Sequence, residues 1–267
     1  MTPSPGGRRD RWQDHAVDIT DDLAPTGTLR AAINLGNPVL AQGTPDDPRG
    51  VTVDIAREIG ARLGVPVELR CFDAARLSFA SMVDGESDVC FLAVDPAREE
   101  EVAFSAPYVV IEGVFVTRED GGPTTVPDVD RPGVRVGVKE GSAYDLFLTR
   151  TLEHAELVRG AEGTTVFETE RLEVGAGIRQ PVLDLAGGRP DLRVLEPAFM
   201  EIRQAVGTTR TRSPQSVAFL DDVVEELKRT GFVAESLARS GRADASVAPA
   251  GGVTGRVAPS QTANRDR

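Results

Sequence analysis

One arginine stands where a side chain can bind an anion. The segment FLAVDPAREEEVAFSAPY covers residues 91–108, and within it Arg98 follows an apolar run that ends at Asp95. A guanidinium carries five N–H donors in a planar fork that matches two carboxylate oxygens, and the pair strengthens in a cleft that excludes water. The alternative is a solvated turn in which Arg98 pairs with the glutamates at 99–101, because exposed Arg–Glu turns are common. The segment by itself leaves both interpretations of Arg98 open.

A second candidate is the turn Glu140-Gly141-Ser142, which stands between a predicted strand and a predicted helix. Ser142 is expected to cap that helix, and the turn leaves free backbone N–H groups that favour an anion. A cap without any ligand would explain Ser142 as well. Because both interpretations leave amides at the helix start, the turn remains a candidate anion site.

The composition limits the class of function. The chain has 267 residues and a net charge of −12, with 40% hydrophobic and 27% charged residues, which is ordinary for a globular protein. Binding to a nucleic-acid backbone needs a basic face, so nucleic acid is not an expected partner. No apolar run approaches the ~20 residues that span a bilayer, so membrane insertion is not expected.

Cysteine and histidine are too sparse for a metal centre. Cys71 and Cys90 lie inside predicted strands, and His15 and His154 are far apart in sequence. Neither a zinc site nor a Cys/His nucleophile pair is expected, and no cofactor is expected either.

The first 27 residues bear on the location of the protein. They include arginines but no apolar core of the ~7–15 residues that a secretory signal needs. We therefore expect a cytoplasmic protein, or a periplasmic or extracellular one if a leader was removed.

The order of strands and helices predicts an α/β fold. A helix at 51–64 carries apolar residues at i, i+4 spacing and closes at Gly64. An apolar strand at 88–94 indicates burial on both faces, as in a parallel sheet covered by helices. The remaining predictions are strands at 28–35, 65–71 and 108–119, a strand, turn and helix within 133–153, an apolar segment at 174–178, strand character at 192–208, and helices at 75–85, 164–171, 180–186, 213–230 and 232–240.

This order resembles the type 2 periplasmic solute-binding proteins, the amino-acid branch that serves ABC transporters (bacterial extracellular solute-binding proteins, family 3). The resemblance runs from about Gly27 to Gly241 and rests on RGVTVDIAREIGARLGVPVEL, SMVDGESDV, DPAREEEVAFSAPY, RVGVKEGSAYD and FLDDVVEELKRTGFVAESLAR. It implies an α/β, two-lobed periplasmic-binding-protein-like fold (type II), with two hinge crossings and the ligand cleft between the lobes.

The resemblance also implies the domain limits and the partners. It places the strands of Cys71 and Cys90 on either side of the first strand, too far apart for a disulfide. A monomer is expected, with a small-molecule carboxylate as ligand and an ABC permease as partner if the protein is exported. The implied divisions are lobe 1 at 25–112 plus 207–242 and lobe 2 at 113–206. The lack of hydrophobic periodicity at both ends predicts a disordered N-terminal arm at 1–24 and a disordered C-terminal tail at 243–267.

The family's binding residues map onto this chain in part. In the family, an arginine after the third strand binds the ligand carboxylate, and Arg98 falls at that position. The turn at Gly141 and Ser142 matches one that offers a hydroxyl and helix amides to the same carboxylate. The predicted ligand-binding set is Arg98, Asn34, Asn37, Phe72, Ala93, Asp95, Gly141, Ser142 and Glu112.

Departures from the family pattern concern the ammonium group of an amino acid. Asn34 stands where amino-acid binders usually carry an acid, and Asn37 where they place an aromatic lid. The aspartate that pairs with the ligand's α-ammonium is absent near 178–180. An ammonium in a dry cleft without a carboxylate is costly, and Glu112 or Glu140 would have to supply one. Each of these glutamates is equally well explained by solvent exposure or a local ion pair, so a carboxylate ligand without a free α-ammonium is expected.

Two functions follow from the resemblance. The leading one is binding of a small polar carboxylate, an amino-acid-like solute, by a solute-binding component or a cytosolic carrier or sensor. The alternative is an enzyme on the same scaffold, a dehydratase or lyase resembling the arogenate/prephenate dehydratases. There a glutamate with a raised pKa would act as the general acid, and the candidates are Glu112, Glu140 and Glu173.

Overall fold

The computed structural model describes residues 18–242 and 245–251. The first part of the chain alternates short helices and strands. These are α1 (Ile19–Leu23), β1 (Leu29–Asn34), β2 (Gln42–Thr44), β3 (Asp47–Arg49), α2 (Val51–Leu63), β4 (Val67–Phe72), α3 (Ala75–Val83), β5 (Val89–Ala93) and α4 (Pro96–Glu99).

A long strand then leads into the second part of the chain. The elements are β6 (Val102–Arg118), a 3-10 turn (Val126–Val129), β7 (Arg135–Lys139), α5 (Ala143–Thr151), β8 (Glu156–Gly160), α6 (Gly163–Thr169), β9 (Val174–Ile178), α7 (Arg179–Ala186), β10 (Leu192–Val194), β11 (Met200–Thr209), α8 (Pro214–Arg229), α9 (Phe232–Arg239) and β12 (Ser246–Val247).

The sheet joins two groups of parallel strands. Its order is β4-β1-β5-β11-β6-β9-β7-β8, with β10 and β12 also paired to β6. β4, β1 and β5 are mutually parallel, as are β9, β7 and β8. β11 and β6 stand between the groups and run antiparallel to their neighbours. The predicted α/β, two-lobed architecture is confirmed, with one lobe built on each parallel group.

β6 is the strand that links the two lobes. It pairs with β11 over residues 102–113 and with β9 over 113–117. The strand predicted at 108–119 thus begins six residues earlier, at Val102. Pro107 lies opposite a register shift in β11. The regular hydrogen-bond pattern is already interrupted there, so a proline, which has no backbone N–H, is tolerated. The predicted lobe limits at 112/113 and 206/207 fall inside β6 and β11.

The sequence pattern of the first lobe follows from burial. Every residue of β5 is buried, as a strand covered on both faces requires. Ile55 and Ile59 of α2 are fully buried against the sheet, each contributing on the order of 1.5–3 kcal/mol. Gly64 ends α2 in the left-handed conformation at φ 70°, which a glycine adopts without strain. Cys71 and Cys90 are free thiols on the two strands that flank β1, as expected.

The predicted N-terminal arm was set too long. Residues 1–17 of that range lie outside the described residues, but α1 begins at Ile19. Leu23 is fully buried, and the Asp22 carboxylate accepts hydrogen bonds from Ser213 N at 2.8 Å and Ser216 Oγ at 2.6 Å. The segment is ordered because one apolar side chain and one carboxylate attach it to the start of α8.

The predicted C-terminal tail is also corrected in part. Residues 245–251 pack on the molecule, and β12 pairs with Val109 and Val110 of β6. Ala248 is 2% exposed and donates its amide to Tyr108 O at 3.1 Å. The lack of hydrophobic periodicity was misleading, because small residues can complete a strand edge without a helical or alternating pattern. Residues 243–244 and 252–267 lie outside the described part of the chain.

One further expectation concerns membranes. Within the described ranges, none of the helices has the length and apolar character that crossing a bilayer requires.

Candidate functional site

A cavity of about 260 Å³ lies between the two lobes. The last residues of β1, β5, β7 and β9 all line it, namely Asn34, Ala93, Lys139 and Ile178. Open α/β sheets bind ligands outside the carboxyl ends of their strands, which is where this cavity opens. Its volume is slightly below the ~300–1,000 Å³ of most ligand pockets, so it suits a small ligand.

Arg98 lies in the wall of this cavity with 3% of its surface exposed. Asp95 caps the short helix that carries it. The guanidinium donates from Nη1 to Ala93 O at 3.1 Å and from Nη2 to Gly141 O at 3.0 Å. Burial lowers the pKa of Arg98, and the charge of Asp95 offsets part of that effect. Within residues 18–242 and 245–251 no carboxylate pairs with Arg98, so the alternative of a surface pair with 99–101 is wrong.

The start of α5 supplies backbone amides to the same cavity. Ser142 caps this helix by accepting from Asp145 N at 3.1 Å, as predicted. The amides of Gly141 and Ser142 are not available, because the first donates to Asp145 Oδ2 at 2.8 Å and the second to the preceding strand. Ala143 and Tyr144 come next and line the cavity, and their backbone amides have no acceptor within the described chain. The free amides therefore lie one residue further along than the turn itself.

The loop after β1 forms another wall. Asn34 and Asn37 both line the cavity, as predicted, and Asn37 is 6% exposed. Gly36 lies between them at a close approach, since a Cβ there would meet Asp73 O at 2.0 Å. Lys139 reaches across from β7 and donates from Nζ to Gly36 O at 3.3 Å. A cation and two amide side chains thus share one side of the cavity.

Gln204 is a site residue that the sequence patterns did not identify. It is 5% exposed and lines the cavity, and the described residues offer its side-chain amide no hydrogen-bond partner. Its backbone pairs with Ala93, whose carbonyl is bonded to Arg98, so Gln204 lies beside the arginine. Ile202 also faces the cavity. Arg203 instead faces a separate groove, whose lining includes Glu112, Arg179 and Gln180. The alternation along β11 was visible in the sequence, but which face meets the cavity was not.

Apolar side chains complete the cavity and exclude water from the polar groups. The apolar residues that line it include Pro38, Leu92, Ile178, Pro181, Val182 and Ile202. Ile178 occupies the region where the family's ammonium-binding aspartate was expected, and the neighbouring Arg179 and Gln180 line the separate groove instead. The electrostatic interactions of Arg98 are strengthened by this low-dielectric surrounding.

Four residues of the predicted set do not line the cavity, namely Phe72, Asp95, Glu112 and Gly141. Phe72 packs against the cluster that contains Met82 and Cys90. Asp95 binds a side chain of the other lobe rather than a ligand. Glu112 lines the separate groove, where its carboxylate pairs with Arg179. Gly141 contributes its carbonyl to Arg98, and Ala93 does the same, so both position the arginine.

One of the three proposed acid catalysts, Glu173, is held as a carboxylate. Glu173 accepts three hydrogen bonds from Arg135, at 2.9–3.0 Å, which lower the pKa of Glu173 although burial opposes them. A general acid needs a raised pKa, so this carboxylate has the opposite property. Glu140 lines the cavity, but 59% of its side chain is exposed and it lies 3.5 Å from Arg76 Nε. No group of three potential metal ligands occurs in the part of the chain that the structure describes.

Several contacts bridge the two lobes at the cavity mouth. Arg150 of α5 donates to both oxygens of Asp95, at 3.2 and 2.7 Å, and the Asp95 side chain is 5% exposed. The bonds from Arg98 to Gly141 and from Lys139 to Gly36 also connect the lobes. The structure is therefore a closed form.

Substituting Asp95→Asn is expected to favour an open form. Asparagine still caps α4, since its oxygen can accept from Ala97 N, but it removes the charge that Arg150 pairs with. With the Arg150 side chain 40% exposed, a pair of this kind contributes about 0.2–1 kcal/mol, so ligand affinity should fall by up to about fivefold. Small-angle scattering of the ligand-free variant should give a larger radius of gyration. The matched control is Glu68→Gln, which removes an exposed pair within one lobe, and an equal change in both variants would contradict the assignment.

Comparisons with known proteins agree with this geometry. The model of the bacterial extracellular solute-binding proteins, family 3, matches residues 29–240. The virulence sensor protein BvgS of Bordetella pertussis (strain Tohama I) is 29% identical over 159 residues, which are 58% of this chain. The chain spans 12% of the length of that relative.

Two solved structures resemble the whole fold. A mutant of ArgBP from T. maritima has a TM-score of 0.68 at 22% identity, with 84% of this chain and 99% of that chain covered. The amino acid ABC transporter substrate-binding protein AbpA from Streptococcus pneumoniae, bound to L-arginine, has a TM-score of 0.67 at 20% identity, with 83% and 97% covered. Since the family model covers the chain from the start of β1 to the end of α9, the protein belongs to the bacterial extracellular solute-binding proteins, family 3.

Proposed function

We propose that the protein binds one small carboxylate in the cavity, with Arg98 and the first amides of α5 holding the carboxylate oxygens. The observation that carries this proposal is a 97%-buried arginine whose only hydrogen-bond acceptors in the described chain are two carbonyl oxygens. An isolated buried cation is costly unless an anion compensates it. Ala143 and Tyr144 add the positive end of the α5 dipole at the same place.

The relatives bind complete amino acids, whereas the residues of this chain match only the carboxylate end of such a ligand. AbpA was solved with L-arginine, whose carboxylate is the part that an arginine side chain can recognise. In this chain, Ile178 and Arg179 occupy the region expected to pair with an α-ammonium, and neither carries a negative charge. The bound solute thus resembles an amino acid at its carboxylate end alone.

The partner that follows from this function is an ABC-type permease. AbpA is by name an ABC transporter substrate-binding protein, and the present chain shares its fold at 20% identity. The closed form, with Asp95 and Arg150 joined across the lobes, is the state that would present a bound solute to such a partner as a monomer.

Matched carboxylates and amides test the proposal directly. Pentanoate and glutaramate are compared with pentanamide and glutaramide by thermal shift and calorimetry, since each amide keeps the shape and removes the charge. We expect each acid to bind at least tenfold more tightly than its amide, because only the acid compensates Arg98. Equal binding of acids and amides, or no binding of any of the four, would refute carboxylate recognition.

A further inference from the structure

The two asparagines of the β1 loop present donors to the cavity. Asn34 Oδ1 accepts from Gly36 N at 3.0 Å, and Asn37 Oδ1 accepts from Val39 N at 3.3 Å. Because a backbone N–H requires an acceptor, these bonds fix which atom of each side chain is oxygen. The Nδ2 group of each side chain is then free to donate, because neither has an acceptor within the described chain. Each asparagine therefore offers N–H donors to whatever fills the cavity.

Lys139 adds a cation to this donor set. Its Nζ lies 3.3 Å from Gly36 O, between the two asparagines in the chain, and a Cβ on Gly36 would lie 2.8 Å from that nitrogen. The Lys139 side chain is 12% exposed and pairs with Glu162. We call Asn34, Asn37 and Lys139 the acceptor subsite, since all three can donate to an oxygen acceptor of a ligand.

The carboxylates near the cavity lie at its exposed edge. The side chains of Glu140 and Glu162 are 59% and 51% exposed, and Glu162 is already paired with Lys139. The polarity of the acceptor subsite therefore discriminates against a cationic group.

We infer that the ligand carries, besides the carboxylate held by Arg98, a second carbonyl oxygen that binds the acceptor subsite. The inference rests on the proposed function and narrows its ligand class to dicarboxylates and carboxylates with a terminal carbonyl. One compact molecule reaches both groups, because the cavity holds only about 260 Å³. Gln204 lines the same cavity and carries both a donor and an acceptor, so it can bind a hydroxyl or oxo group of the ligand.

Four five-carbon acids that differ at one end test this inference. They are pentanoate, 5-aminopentanoate, glutarate and glutaramate, which end in a methyl, an ammonium, a carboxylate and a neutral carbonyl. Calorimetry should give glutarate or glutaramate at least tenfold tighter binding than pentanoate, with 5-aminopentanoate weakest. The comparison of glutarate with glutaramate decides whether the acceptor subsite prefers a carboxylate or a neutral amide carbonyl.

Two isosteric variants identify the residues responsible. Asn34→Asp and Asn37→Asp keep the oxygen that accepts the loop amide but replace the Nδ2 donor with an anion. Each should weaken glutarate at least tenfold more than it weakens pentanoate, and should improve 5-aminopentanoate relative to pentanoate. The Gly36 loop bond survives in Asn34→Asp, so a folding defect is not expected, and a thermal melt of each variant without ligand verifies it.

The outcomes separate this inference from the proposed function. If pentanoate, glutarate and 5-aminopentanoate bind equally well, the acceptor subsite is overturned while carboxylate binding stands. Unchanged ligand preference in both aspartate variants overturns it as well. If none of the four acids binds the wild-type protein, the proposed function fails and the subsite fails with it.

Discussion

Substitution of Arg98 by methionine is expected to abolish carboxylate binding without lowering the melting temperature of the ligand-free protein. The arginine is 3% exposed, and no carboxylate in the described residues forms an ion pair with it. Burial lowers the pKa of Arg98, which means that the charged form is disfavoured at this position. Apolar residues of similar volume often replace buried charges with no loss of stability, so methionine should be tolerated in the ligand-free state.

The binding loss should be large because the ligand carboxylate would then lack its charged partner in a closed cavity. Removing one side of a desolvated, hydrogen-bonded charge pair costs about 2–5 kcal/mol, or roughly 30-fold to several-thousand-fold in affinity. Calorimetry with glutarate or glutaramate measures the affinity, and a thermal melt without ligand measures the stability.

Two further variants make the result specific. Arg98→Lys keeps the charge but loses the planar fork, so affinity should fall while some carboxylate preference remains. Arg203→Ala removes an exposed arginine one residue from Gln204 that faces the other groove, and should leave binding unchanged. Undiminished affinity in Arg98→Met, or a melting temperature lower by several degrees, would show that Arg98 has a structural role instead.

Arg98 could be predicted from the sequence because its signal is local. A lone cation directly after an apolar strand is visible within the segment 91–108, and the strand itself is recognised by its composition. The helix cap at Ser142 and the helix end at Gly64 are local in the same way, since each depends on a few neighbouring residues. The structure of such features depends little on distant parts of the chain, so it can be predicted from the local sequence.

Residues whose role depends on distant pairing were predicted poorly. Glu112 was a candidate for the cavity, but Arg179, 67 positions later, binds it in another groove. Gln204 reaches the cavity only because β11 inserts between β5 and β6 in a particular register. Phe72 ends β4 next to the site, yet it packs against the cluster that contains Met82 and Cys90 instead of lining the cavity. Strand alternation in the sequence defines two faces without identifying which one a ligand meets.

The prediction for the C-terminal segment was wrong for a further reason. A single buried lysine binds this segment to the rest of the molecule. Lys228 of α8 has a side chain that is 1% exposed, and its Nζ donates to Pro107 O and Pro249 O, each at 3.1 Å. The first of these carbonyls belongs to β6 and the second to the segment after β12. Glu225 completes the arrangement by binding Lys228 at 2.6 Å and Gly251 N at 2.9 Å. None of these links has a pattern in the sequence.

Ending the chain at residue 242 should therefore destabilise the protein, whereas a chain ending at 251 serves as the matched control. The shorter chain loses β12, the amide bond from Ala248 to Tyr108 O and the Pro249 acceptor of Lys228. Each lost hydrogen bond contributes about 1 kcal/mol, and the entropy of ordering the segment offsets part of the sum. A net loss of about 1–2 kcal/mol lowers the melting temperature by about 2–8 °C for a chain of this size.

Glu225→Gln tests whether the ion pair fastens this segment. Burial raises the pKa of Glu225, but the bonds from Lys228 and Gly251 outweigh it and the net pKa is lowered. The carboxylate thus contributes stability above its ordinary pKa of about 4.5 and loses that contribution as pH falls through the lower folded value. The substitution should cost more at neutral pH in the chain ending at 251 than in the chain ending at 242. This difference should shrink below pH ~4. Equal costs in the two chains, or identical melting temperatures for the two truncations, would mean that residues 245–251 do not stabilise the strand that links the lobes.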